Sequence, residues 1–105
     1  MSLEPTDPLA TLTHERLTPL IGEVFHWQPE GATAVAFTLA EVKPLGGARP
    51  GQRAPFSLLF RPADPHFHAP QQIFELEHPQ LGALAIFLVP IRPDATGARL
   101  EAVFT

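Results

Sequence analysis

The chain has 105 residues, a net charge of −4 with one lysine against six arginines, and no cysteine. That length supports a single domain with one modest core. The lack of cysteine excludes disulfides, thiol catalysis, Fe–S clusters and cysteine-based zinc sites, and the acidic balance without a basic run removes the electrostatic footing for nucleic-acid binding.

An apolar share of 45% is that of a globular protein. Eight phenylalanines, one tryptophan and no tyrosine give rings suited to a core, with few polar tips to offer a ligand. The N-terminal stretch lacks a basic start followed by an apolar segment, so it does not read as a secretory signal. The longest apolar run, Leu81 to Ile91, is far short of the ~20 residues that span a bilayer. A cytoplasmic protein without membrane contact is expected.

Residues 1–9 hold Pro5 and Pro8 and read as an N-terminal arm, with the domain covering 10–105. Thr11 or Thr13 can cap a short helix to about Leu20, with Leu12, Leu17, Leu20 and Ile21 on one face. Pro19 should end that helix or disturb its last turn. Strand 1 follows over Glu23 to Gln28, with Phe25 and Trp27 on one side and Val24 and His26 on the other. Pro29-Glu30-Gly31 is a turn signal. Strand 2, Thr33 to Val42, alternates Val35, Phe37 and Leu39 against Ala34, Ala36 and Thr38, with a bulge expected near Ala40.

Pro44 to Gln52 reads as an exposed loop, either a docking arm or a plain connector. Strand 3, Arg53 to Arg61, turns Phe56, Leu58 and Phe60 one way; Pro55 places its start at an edge or outside the ladder. Pro62 to Pro70 is a second proline-rich loop. Strand 4, Gln71 to His78, sets Phe74, Leu76 and His78 against Ile73, Glu75 and Glu77. Strand 5, Ala83 to Arg92, is apolar on both faces, so both are expected to be covered. A turn at Pro93 to Gly97 leads into strand 6, Ala98 to Phe104. The expected fold is mainly β: a six-stranded antiparallel barrel or small sandwich, with the one short N-terminal helix plugging an end or lying across an open side.

Six stretches carry a family resemblance: Ile21 to Phe25, Leu39 to Val42, FSLLF at Phe56 to Phe60, LEHPQLG at Leu76 to Gly82, IFLVPI at Ile86 to Ile91 and PDATGARLEAVF at Pro93 to Phe104. In these the chain resembles a bacterial family of small β domains of unknown function, often encoded near phage-tail collar-type proteins. The resemblance implies a compact stand-alone domain and an accessory place in a tail-like assembly. It supplies no catalytic residues and calls for no cofactor. The chain departs from the family pattern at Leu100, where a tyrosine is more usual, and in the loop HFHAPQ, which lacks the usual Pro-Gln-Gly form.

The sharpest chemical candidate is His66 and His68 with Glu75 and His78. An HxH pair on a strand puts both imidazoles on one face, where they can share a metal, as in cupins. Here the pair falls in a loop between Pro65 and Pro70, the glycine expected ahead of it is missing, and Glu75 and His78 lie on opposite strand faces. Solvated loop histidines are the simpler reading. Glu75 and Glu77, about 7 Å apart on one strand face, could serve as an acid–base pair. A solvent-facing strand side, with Arg53, Arg61 or Arg99 pairing across the sheet, explains them as well. Asp94 and Gly97 read as turn chemistry. Ser57 lacks the nucleophile elbow, and Gly46-Gly47 and Gly51 lack the lysine and helix of a phosphate loop. Trp27 beside His26 is either a contact ring for a partner or a cap on the barrel end.

A non-enzymatic structural or interaction domain is therefore expected, binding a protein partner by a sheet edge, an apolar patch or the arm. Homo-oligomerisation is a further expectation, because strand 5 with two apolar faces calls for a neighbour. The rivals are a metal-dependent enzyme of cupin type and a small-ligand carrier, the latter opposed by side chains large enough to fill a small barrel.

Overall fold

The computed structural model describes residues 12–47, 50–51 and 53–105. The expected arm, Thr11 as a cap, and part of the Pro44 to Gln52 loop lie outside the described residues. Helix α1 is His14–Leu17, followed by a 3₁₀ turn at Thr18–Leu20. Thr13, in extended conformation, caps α1 by accepting a hydrogen bond from the Arg16 backbone N–H at 3.2 Å. Pro19 sits in the first positions of the 3₁₀ turn, so the α-helix tightens there.

Six strands follow: β1 Val24–Trp27, β2 Val35–Pro44, β3 Phe56–Pro62, β4 Gln72–His78, β5 Gly82–Asp94 and β6 Gly97–Phe104. They close an antiparallel barrel in the order β1-β2-β3-β6-β5-β4, sealed by β1 against β4. Of the two expected architectures, the barrel is the one formed. Closure removes the open edges that a sheet of this size would otherwise expose. The bulge expected in β2 appears as a register shift between Leu39 and Glu41. On the other side of β2, the pairing with β1 continues past Val24: the Gly22 N–H donates to the Leu39 carbonyl and the Leu39 N–H to the Glu23 carbonyl. Pro55 stays outside the ladder, where its carbonyl accepts from Leu45.

Alternation in each strand sends one set of side chains inward. Phe25, Phe37, Phe56, Phe60 and Phe74 fill the interior with Leu39, Leu58, Leu76, Ile86 and Leu88. Leu12, Leu17 and Leu20 join the same core cluster, and α1 and the 3₁₀ turn pack on β2. Alone, so short a helix would not hold; its leucines hold it in place. The opposite end is stopped by Trp27. Its ring lies edge-on to Phe74 at 4.7 Å and to Phe67 at 6.1 Å, and stacks on Phe37 at 6.1 Å.

One expectation is overturned. β5 is covered on one face only: Leu84, Ile86 and Leu88 are buried, but Ala83 and Ala85 are exposed and Phe87 is 51% exposed. The strand buried on both faces is β3, where Ser57 and Leu59 are 7% and 8% exposed. The register explains it. β3 is flanked along most of its length by β2 and β6, and Leu59 lies between Glu41 and Glu101, long side chains whose stems can cover apolar surface. Beside Phe87, β4 supplies Ile73 on one side, and the pairing of β5 with β6 starts only at Val89.

Candidate functional site

His66, His68, Glu75 and His78 do not meet. Among the described residues, no group of three or more His, Asp or Glu side chains is placed to hold a metal ion. The PADPHFHAP loop folds as a turn in which the Asp64 side chain accepts from the His66 N–H at 2.9 Å and the Asp64 carbonyl from the Phe67 N–H at 3.0 Å. That turn drives Phe67 inward against Trp27 and Phe37 and leaves His66 and His68 exposed on either side of it. The phenylalanine between the two histidines is the structural residue of the motif, and the sequence reading passed over it. The available signal was one large apolar side chain in an otherwise polar, proline-bounded loop.

Glu75 stands on the outer face of β4, opposite Ala85. His78, two positions past Leu76 on the inner face, is 4% exposed and packs on Phe25 with ring centroids 4.6 Å apart. Both its ring nitrogens are occupied. Nδ1 accepts the Gln80 backbone N–H at 3.1 Å, so Nε2 carries the proton and donates to the Glu23 carboxylate at 2.7 Å. An imidazole bonded at both nitrogens and sealed from solvent has no lone pair left for a metal or a substrate proton.

Among the described residues, Arg61 and Arg99 turn to partners other than Glu75 and Glu77. Arg61 reaches Asp94, with Nη1 donating to Oδ1 at 3.0 Å and Nη2 to Oδ2 at 2.5 Å. Arg99 donates to the Arg92 carbonyl across the β5–β6 hairpin. Asp94 Oδ1 also accepts from the backbone N–H groups of Thr96 and Gly97, the turn chemistry expected of it. These donors, Arg61 foremost, hold the Asp94 carboxyl well below the usual carboxylate range.

Trp27 is half-buried within the aromatic stopper described above, whereas His26 is exposed and directly opposite Glu77 across the β1–β4 seam. His26, Gln28 and Glu77 edge a surface recess of about 310 Å³. A larger groove, about 470 Å³, lies where β5 and β6 part. Its walls include Ile86, Phe87, Val103 and Phe104, and Arg53 stands at one end. The Arg53 guanidinium lies against the stacked Phe56 and Phe104 rings and donates to the carbonyls of Leu12 and Thr105 at 2.9 and 3.1 Å.

The outer face beside this groove is apolar. Ile73 and Phe87 are direct cross-strand partners, 63% and 51% exposed, and Val103 on the groove's other wall is 58% exposed. Glu75, Glu77 and Glu101 lie on the outward-facing positions around them. Monomeric proteins rarely leave large side chains grouped like this without a use. Among the described residues, no helix is long and apolar enough to cross a membrane.

Comparison with curated proteins and with solved structures finds no match. The stretches singled out from Ile21 onward all fall inside one family match, which runs from Leu12, the first core leucine, to Phe104, the last residue of β6. By that match, over residues 12–104, the chain belongs to the family described as Domain of unknown function (DUF6916).

Proposed function

We propose that the chain is a non-enzymatic interaction domain acting in the cytoplasm, which docks on a protein partner through the outer face of β4 and β5. The observation that carries this reading is the exposed pair Ile73 and Phe87, with Val103 close by, on a barrel whose interior is already filled by its own phenylalanines. Large side chains at the centre of a patch, ringed by charge, are the anatomy of a protein interface. The charge beside the pair is mainly acidic, from Glu75 and Glu77 further along the outer face of β4 and Glu101 on β6, with Arg53 at the groove. The partner it fits presents an apolar anchor bordered by lysine or arginine. The resemblance to domains encoded beside tail collar-type proteins makes a component of a tail-like assembly the proposed partner.

The rival readings have less support. The four candidate ligands lie apart, and His78 is fully bonded within the fold. The groove between β5 and β6 lies in the barrel wall, while the centre is occupied by Phe25, Phe37, Phe60 and Phe74.

The test is co-purification of the full chain from its native host, with partners identified by mass, alongside Phe87→Asp and Ile73→Asp. A tail or baseplate component that accompanies the wild-type chain and is lost from both variants supports the proposal. Recovery of that component by the variants removes the docking face, and its absence from the wild type removes the assembly. A concentration-dependent dimer of the wild type abolished by Phe87→Asp would assign the face to a second copy instead.

A further inference from the structure

The loop between β3 and β4 contains the dipeptide Asp64-Pro65. An aspartyl–prolyl bond is chemically weak in acid. The side-chain carboxylate is a nucleophile that can close a small ring onto its own main-chain carbonyl, and the proline nitrogen, a tertiary amide with no N–H, leaves readily once protonated. We propose that Asp64–Pro65 is a self-cleavage site, with the Asp64 carboxylate as its nucleophile.

The turn holds the bond in the arrangement this reaction needs. The Asp64 side chain accepts the His66 N–H at 2.9 Å. The ring closed by that hydrogen bond contains the Asp64–Pro65 peptide, so the carboxylate is folded back along the bond it attacks. The Asp64 carbonyl oxygen, where negative charge develops, already accepts the Phe67 N–H at 3.0 Å. A fixed donor at that oxygen stabilises a tetrahedral intermediate.

Both flanks are anchored. The Ala63 N–H donates to the Ala36 carbonyl on β2, and the Ala98 N–H on β6 donates to the Pro65 carbonyl, each at 2.9 Å. Phe67 is seated against Trp27 and Phe37. The reacting groups are therefore ordered by the barrel before the reaction starts. Asp64, Pro65 and His66 are themselves exposed, so water and solvent protons reach the bond.

In the reaction an Asp64 carboxylate oxygen bonds to the Asp64 carbonyl carbon. The carbon–nitrogen bond to Pro65 then breaks, and its electron pair goes to the nitrogen, which takes a proton from solvent. Asp64 is left as a cyclic anhydride, and one water opens it to two carboxyl groups. Nothing is oxidised or reduced. The product is a nicked barrel. β1 still pairs with β4 and β3 with β6, so the two pieces stay joined, while the loop carrying Phe67 loses its tie to β3. This site is separate from the docking face proposed above.

The test holds the full-length protein at about pH 5, which supplies the proton without entering the range in which the Asp94 clamp is lost. Mass spectrometry should find fragments that end at Asp64 and begin at Pro65. They should form roughly tenfold faster than from the peptide Pro62 to Pro70 under the same conditions. Asp64→Asn keeps an acceptor for the His66 N–H but removes the nucleophile, and should stay whole at this bond. In water enriched in heavy oxygen, the label should divide between the two carboxyl groups of Asp64, because an anhydride opens at either carbonyl. No cleavage of the folded chain, cleavage no faster than in the peptide, equal cleavage of Asp64→Asn, or label confined to the α-carboxyl would each overturn the proposal.

Discussion

Arg61 on β3 grips Asp94 at the end of β5 with both terminal guanidinium nitrogens, at 3.0 and 2.5 Å. The same carboxylate accepts from the Thr96 and Gly97 N–H groups. One side chain thus fixes the β5–β6 turn and ties it to β3. A carboxyl lowered by folding stabilises the fold above its unfolded value and ceases to do so as pH falls through its folded value. Unfolded Asp94 titrates near 3.8, so its contribution is complete at neutral pH, starts to fade below about pH 5, and is gone only well under 3.8. Asp94→Asn keeps an oxygen for the turn N–H groups and removes the charge. It should lower the urea midpoint at pH 7 and flatten the loss of stability between pH 5 and pH 3. An unchanged acid limb would mean that other carboxylates govern it.

Gly97 is the next link in that turn. Its φ is +130°, and an added Cβ would lie 2.5 Å from Pro65 Cβ and 2.8 Å from Pro65 Cα. The Cβ would meet the rigid proline ring and its backbone, which the Ala98 N–H bond to the Pro65 carbonyl at 2.9 Å holds close. Neither side can swing away. Gly97→Ala should cost about 2–4 kcal/mol, from strain at positive φ and overpacking. Gly31→Ala, at φ +73° with nothing within 4 Å, should cost only about 1–2 kcal/mol. Equal losses in denaturant titration would show that the Pro65 contact yields.

The strand alternation, the positions of the turns and the inward set of phenylalanines were legible in the sequence, because period two survives wherever one face is wet. What was not legible is lateral. Nothing in the run from Leu84 to Ile91 says that its outer face has no cover, because cover comes from neighbouring strands. Glu41 and Glu101, which flank Leu59, lie far from it in the chain. The HFH motif drew attention as a metal candidate because histidine spacing is easy to score. The residue that seats the loop is Phe67, and its partners Trp27 and Phe37 lie about thirty to forty positions away. Likewise the two hydrogen bonds of His78, one of them to distant Glu23, have no signal in the local sequence.

The helix at the barrel's end makes a matched pair of expectations. Leu17 is 1% exposed in the core cluster, so Leu17→Ala should lose about 2–5 kcal/mol. Thr13→Ala removes only the cap to Arg16 N–H and should lose about 1 kcal/mol. Chemical denaturation followed by Trp27 fluorescence measures both. A Leu17→Ala loss no larger than that of Thr13→Ala would mean that the helix is an ornament on a barrel that closes without it.

The histidines can be separated by stability alone. His78→Ala empties a sealed site against Phe25 and strands the Gln80 N–H and the Glu23 contact. A cavity and a lost buried hydrogen bond together should cost about 2–4 kcal/mol. His66→Ala and His68→Ala act at exposed side chains and should stay within about 0.5 kcal/mol of wild type. If the three residues shared a metal in the untagged protein, each single alanine variant would lose the same stabilisation, and adding a chelator to wild type would reproduce it. Unequal losses in the order given, unchanged by chelator, are what a structural His78 and two solvated loop histidines produce.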